Sequence, residues 1–263
     1  MLTYPEIDPI IFAIGPLAVR WYGLMYVIGF LAAWLLAARR AKQPWSVIAP
    51  EKVDDLIFYC MIGVIVGGRL GYSLFYGWRL WLDDPLYVFK ITQGGMSFHG
   101  GLLGVMAAMW LYGKSLQRTM LEITDFVAPL VPIGLGAGRI GNFINGELWG
   151  KETTVPWSFN INGRGLHPSQ LYEAILEGLV LFVILWGFSS KRRPAMAVSA
   201  MFLIWYGLFR FFVEFYRVPD ADKGYILFGW VTMGQILTAP MVVAGVIMLY
   251  LAYQRHSQRE ANT

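Results

Sequence analysis

Seven stretches of this sequence are apolar over nearly the length a hydrocarbon layer demands, and no other feature constrains its folding as strongly. They run approximately Trp21–Ala38, Leu56–Tyr76, Gly95–Tyr112, Ile123–Arg139, Pro168–Phe188, Ala195–Arg217 and Gly229–Tyr253. A helix needs about 20 residues to cross a layer roughly 30 Å thick. Inside lipid the backbone must satisfy its own hydrogen bonds, which leaves helices as the choice for such runs. Charged residues make up 14% of the chain, against about a quarter in a soluble domain. The expected fold is therefore an all-α polytopic membrane protein with seven transmembrane helices, forming a single membrane domain over residues 1–263.

Basic residues set the expected orientation. Eleven follow spans one, three, five and seven: Arg39, Arg40, Lys42, Lys52, Lys114, Arg118, Lys191, Arg192, Arg193, Arg255 and Arg259. Six lie on the opposite side: Arg20, Arg79, Lys90, Lys151, Arg164 and Lys223. The positive-inside bias places the N-terminus outside and the C-terminus in the cytoplasm. Glu6 and Asp8 stand where a signal peptide would be basic, so the first span is expected to remain as a helix. Glycines spaced four apart (Gly63/Gly67/Gly71, Gly100/Gly104 and Gly134/Gly138) are expected to allow close helix packing. Segment 141–167 is too polar to span. Its Asn162-Gly163 pair signals a hairpin, so a small outward-facing head with partial strand content is expected there. A disordered cytoplasmic tail is expected over 254–263.

Ionisable groups inside a bilayer cost about 2.5–3.5 kcal/mol each on insertion scales, so they mark function first. Arg69, Asp125, Arg139, Glu173, Glu177, Arg210, Glu214 and Arg217 are the candidates. All but Asp125 fall toward the outer ends of their spans. Tyr206, Arg210 and Glu214 share one helix face by their spacing. Alone, that triplet is equally a self-neutralising ion pair. With Arg69 and Arg139 added, guanidinium exceeds carboxylate, which points to an anionic ligand such as a phosphate.

Three further motifs carry polar density. Gly138–Glu147 places Arg139, Asn142 and Glu147 among glycines, and is expected to form a turn that presents backbone N–H groups to an anion. His99 lies in Gly94-Gly95-Met96-Ser97-Phe98-His99-Gly100-Gly101. It is either a structural hydrogen-bonding residue or the best available general base. In His167-Pro168-Ser169-Gln170-Leu171-Tyr172-Glu173, helix capping and ligand contact both remain open. The three histidines lack metal-ligand spacing. Cys60 is alone and reads as a packing residue.

Taken together, Trp21–Tyr26, Gly94–Gly101, Gly138-Arg139-Ile140-Gly141-Asn142 through Trp149-Gly150, His167–Glu173 and Tyr206–Arg217 with Pro219-Asp220 resemble the prolipoprotein diacylglyceryl transferase family. The likeness covers residues 15 to 250 in the same order. It implies a multi-pass enzyme of the bacterial plasma (inner) membrane, with its active site toward the outer leaflet. Such an enzyme moves the diacylglyceryl group of phosphatidylglycerol to the lipobox cysteine of a signal-peptide-bearing preprolipoprotein, releasing glycerol phosphate. Its partners are membrane lipids, not nucleic acid, and no metal or other cofactor is implied. By matching motif position, the resemblance implies that Tyr22, His99, Arg139, Asn142, Glu147, Gly150, Tyr206, Arg210 and Glu214 matter to function. Arg139 and Arg210 would hold phosphate, His99 would accept the thiol proton, and Glu147 and Glu214 would orient the arginines. Tyr22, Asn142, Gly150 and Tyr206 would complete the lipid site.

A transporter for an anionic metabolite would instead need charges along a path through the layer. A signal-peptide-binding protein without chemistry would leave the arginines unexplained.

Overall fold

Backbone groups with no water to bind are satisfied by helix formation, and most of this chain is helical. The computed structural model describes residues 1–15, 17–90, 94–219 and 224–261. Asp220 of the family motif and Lys223 of the charge pattern lie outside the described residues. The long helices are α1 (Trp21–Ala41), α2 (Val53–Phe75), α4 (Phe98–Ser115) and α10 (Met233–Ala261). Shorter ones are α3 (Trp78–Asp83), α5 (Met120–Val127), α6 (Val131–Ile144) and α9 (Ala197–Val213). A continuous rod from Ser169 to Phe188 comprises α7 (Ser169–Glu173), a π-helical stretch (Ala174–Val180) and α8 (Leu181–Phe188).

The span count differs from expectation. Among the described residues, four helices are long and apolar enough to cross a membrane, and a fifth qualifies if α5 and α6 act as one broken span. The run expected as Ile123–Arg139 is interrupted after Val127, where Pro129 and Pro132 remove backbone donors. The 17-residue α9 is apolar but short. The expected tail is also different: α10 continues through Ala261. The residues after Tyr253 contain good helix formers and no glycine or proline, so nothing in them stops the helix.

The chain forms two compact units, residues 36–126 and residues 1–35 with 127–263. In the first, α2 packs on α4 through the predicted glycines. A Cβ added to Gly104 would lie 2.0 Å from the Gly63 carbonyl oxygen, and one on Gly67 would lie 2.3 Å from that of Gly100. Arg69 is buried here and does not serve as a surplus cation. Its Nε donates to Val88 O (3.0 Å) and its Nη2 to Tyr87 O (2.6 Å) and Lys90 O (2.9 Å). Its Nη1 donates to Gly94 O and Gly95 O (3.1 Å for the latter). All five guanidinium donors thus meet carbonyls of the segment that leads to α4.

In the second unit, Gly178 of the rod meets Gly136 of α6, where a Cβ would be 2.7 Å from the opposing Cα. Of the expected Gly134/Gly138 stripe, Gly134 is approached closely, since a Cβ on Gly29 of α1 would lie 3.1 Å from its Cα, whereas Gly138 has open space at its Cβ position. The head has the expected hairpin, β4 (Phe159–Ile161) and β5 (Arg164–Leu166), with Asn162 and Gly163 both at positive φ as a type I′ turn requires. Beyond expectation, β1 (Leu2–Thr3) adds to β4 in parallel, and β2 (Ile10–Ile14) pairs with β3 (Leu17–Arg20) before α1.

Candidate active site

Arg139 and Asn142 stand in the last two turns of α6. The expected anion-binding turn is absent here, because Gly138–Ile144 are helical and their N–H groups serve the helix ladder. The chain turns only at Gly146, with φ +68°. Side chains therefore carry the site. Asn142 donates through Nδ2 to Glu147 Oε2 (3.2 Å), and Asn145 donates to Glu147 Oε1 (3.2 Å). Tyr22 packs on the same turn, since a Cβ on Gly141 would meet its ring at 3.0 Å.

The start of α7 locks onto this turn. Gln170 Nε2 donates to Glu147 O (3.0 Å) and Ser169 Oγ to Leu148 O (2.7 Å). Both side chains are fully buried, which delivers Glu173 one turn later into the interior. Glu173 has no exposure and meets three arginines. Its Oε2 pairs with Arg139 Nε, while its Oε1 accepts from Arg210 Nη1 (2.7 Å) and Arg217 Nη1 (2.6 Å). Glu177 follows on the π-helical stretch, buried, with Oε1 at 3.9 Å from Arg210 Nη1. Short π-helical insertions occur often at functional sites, where they re-aim side chains.

Helix α9 supplies the rest. Arg210 Nη2 lies 3.0 Å from Glu214 Oε2, which is also 3.3 Å from Arg217 Nε. Glu214 Oε1 accepts from Thr232 Oγ1 (3.0 Å). Thr232 opens α10 in a reciprocal cap with Gln235, whose Oε1 accepts from Thr232 N (3.1 Å). Gly234 is pressed on the Glu214 carboxyl, which a Cβ would approach to 2.7 Å.

Three arginines thus face three glutamates, so the expected guanidinium surplus is not a surplus of formal charge. The feature that remains is one of donors. Arg210 is tied at both Nη atoms, whereas among the described residues nothing engages Nη1 or Nη2 of Arg139, or Nη2 of Arg217. Arg139 keeps 24% of its side chain exposed, the most of the three.

Gly150 bridges to Arg217 in an antiparallel pair, and a Cβ there would strike Tyr216 O at 2.4 Å; close backbone approach accounts for this glycine. Tyr206, one turn before Arg210, stacks on Phe202 with rings 7° apart. His99 is exposed in the first turn of α4, whose cap is Ser97 accepting from Gly100 N. It belongs to the other compact unit from the arginines. No group of three or more His, Cys, Asp or Glu among the described residues is placed to hold a metal.

Residues 9–251 match the family described as prolipoprotein diacylglyceryl transferase. The chain belongs to this family. Relatives named phosphatidylglycerol–prolipoprotein diacylglyceryl transferase include one from Oleidesulfovibrio alaskensis, 56% identical over the full length of both chains. Others come from Pseudomonas entomophila, 56% identical over 99% of both chains, and Pseudomonas aeruginosa, 57% identical over 97% of both. Within this diacylglyceryl transferase family member, Thr232 is a residue that the sequence reading misses, while Glu173, Glu177 and Arg217 stand among the ionisable candidates of the spans but carry no role from motif position. The i, i+4 spacing of Glu173 and Glu177 and the i, i+7 spacing of Arg210 and Arg217 are the signals that point to them.

Proposed function

We propose that this chain transfers the diacylglyceryl group of phosphatidylglycerol to the lipobox cysteine thiol of a preprolipoprotein and releases glycerol phosphate. The observation that carries the reading is the unengaged guanidinium fork of Arg139, held at its Nε by buried Glu173 in a member of this family. A planar fork of two N–H groups matches two phosphate oxygens. The thiolate sulfur attacks the diacylglyceryl carbon bonded to the phosphate oxygen, forming C–S as that C–O bond breaks. The electron pair stays on the phosphate oxygen, and guanidinium stabilises the charge that grows there. A free thiol has a pKa of about 8.5, so a base is needed at neutral pH, and His99 takes that role. Arg210 holds Glu173 and Glu214 in place beside Arg139. Tyr22, Asn142, Glu147, Gly150 and Tyr206 shape the headgroup site.

The protein lies in the bacterial inner membrane with seven crossings, α4, α9 and the broken α5–α6 pair included. Its N-terminus and head face outward and its C-terminus the cytoplasm. The reaction then occurs at the outer leaflet, and lipid and signal peptide enter sideways between helices. The whole chain acts as a single membrane domain. The test is direct: purified protein is incubated with phosphatidylglycerol and a lipobox peptide. Mass spectrometry should find the diacylglyceryl adduct and glycerol phosphate, and folded protein that forms neither would sink the reading.

A further inference from the structure

A cavity of about 370 Å³ opens beside the arginine cluster, lined by Leu148, Trp149, Arg217, Val218 and Pro219. It is large enough for a small solute. One wall is rigid. Leu148 sits at φ +59°, a costly region for a branched side chain, and Ser169 fixes its carbonyl. Trp149 is held by donation from its Nε1 to Gly146 O (2.9 Å). On the other wall, Arg217 has Nη1 on Glu173 and Nε near Glu214, leaving Nη2 without a partner among the described residues. Its side chain is only 13% exposed. The cavity is thus lined by a nearly buried cation whose Nη2 has no partner among the described residues, next to the Gly150 bridge at the base of the polar head.

We infer that this cavity is a second anion site, which takes the phosphate monoester product as it leaves Arg139. The inference rests on the reaction proposed above. There the substrate phosphate is a diester with one charge, and its product is a monoester carrying up to two. The added charge favours a second guanidinium, and Arg217 shares Glu173 with Arg139. The product is also a water-soluble polyol, and this cavity borders the polar head.

Binding is read without turnover, by equilibrium dialysis of labelled glycerol 1-phosphate against the full chain in detergent. Inorganic phosphate should compete and glycerol should not. Val218→Trp, which fills the space, and Arg217→Gln, which removes the donor, should each weaken binding at least about tenfold. Arg164→Gln, an exposed charge in the head, should bind as wild type. If Val218→Trp and Arg217→Gln both bind normally while Arg139→Gln abolishes binding, the product has one site and the inference fails; it fails equally if wild type does not bind. Intact binding without adduct formation would sink the proposed reaction instead.

Discussion

Glu173 and Arg210 meet at 2.7 Å between the entrance of one membrane rod and the last turn of another helix, with Glu173 wholly buried. That carboxylate also takes Arg139 and Arg217. Removing one partner of a buried ionic network costs about 3–5 kcal/mol, because charges are left uncompensated. Glu173→Gln should therefore lower the adduct formation rate at least about 100-fold, with each tenfold worth about 1.4 kcal/mol. Glu173→Asp, which keeps the charge, should recover part of it. Equal rates in Gln and wild type would show that the arginines hold their places without this carboxylate.

Arg139 and Arg210 should respond differently to lysine. Arg139→Lys keeps the charge but loses both unengaged Nη donors, and removing a charge-stabilising donor costs about 100- to 1,000-fold in kcat. Arg210→Lys loses contacts to Glu173 and Glu214, so its principal effect should be a lower thermal midpoint. Steady-state kinetics and unfolding in the same detergent separate the two. A purely structural phenotype for Arg139→Lys would remove phosphate binding from its role.

Helix contacts make a third prediction. A Cβ on Gly104 would lie 2.0 Å from the Gly63 oxygen, against backbone that cannot rotate away. Gly104→Ala should destabilise by about 1–3 kcal/mol, the usual cost of overpacking. Gly187→Ala, with nothing within 4 Å of the new Cβ, should be neutral or slightly stabilising. Thermal unfolding of the two variants gives the comparison.

What the residues reveal in order differs from what they reveal in space. Arg210 and Glu214 announce a shared face because helical periodicity is local, and Asn162-Gly163 announces its hairpin because turn chemistry is local too. Glu173 does not announce its three arginines. Near a helix start, its charge is equally explained by the helix dipole, and its partners lie 34 to 44 residues away in sequence. Leu2 pairing with Phe159 is equally silent, since no short motif encodes a parallel strand contact over such a separation. The glycines of Gly138–Glu147 suggest a turn, yet the apolar face from Val131 extends the helix to Ile144. Pairing across the fold, rather than composition, decides which arginines are free.

His167 should give the fold a mild acid sensitivity. Partial burial pulls its imidazole below the ordinary value. The unfolded chain then binds the proton more readily, so this stability is present above about pH 6.5 and is lost as pH falls toward the folded value. The thermal midpoint should drop between pH 7 and 5, and His167→Asn should drop less. An identical pH dependence in both would place the sensitivity elsewhere.

Arg69 offers the sharpest contrast with the site arginines, since all five of its guanidinium donors meet backbone carbonyls from Tyr87 to Gly95 and its Cζ lies 4.6 Å from the centre of the Tyr87 ring. Lysine would bring three donors where arginine brings five, in a different geometry. Arg69→Lys should therefore leave some of those carbonyls unsatisfied, at about 1–3 kcal/mol for each group that water cannot reach. The consequence is local, because Gly94 and Gly95 lead into Ser97, the cap of the helix that carries His99. Amide exchange at Val88–Lys90 and Gly94–Gly100 should rise well above wild type, while exchange in α9 should stay as it was. Adduct formation should fall through kcat with little change in apparent KM for phosphatidylglycerol, since Arg69 has no donor left for phosphate. A rise in KM with unchanged exchange would instead make Arg69 a ligand-binding cation.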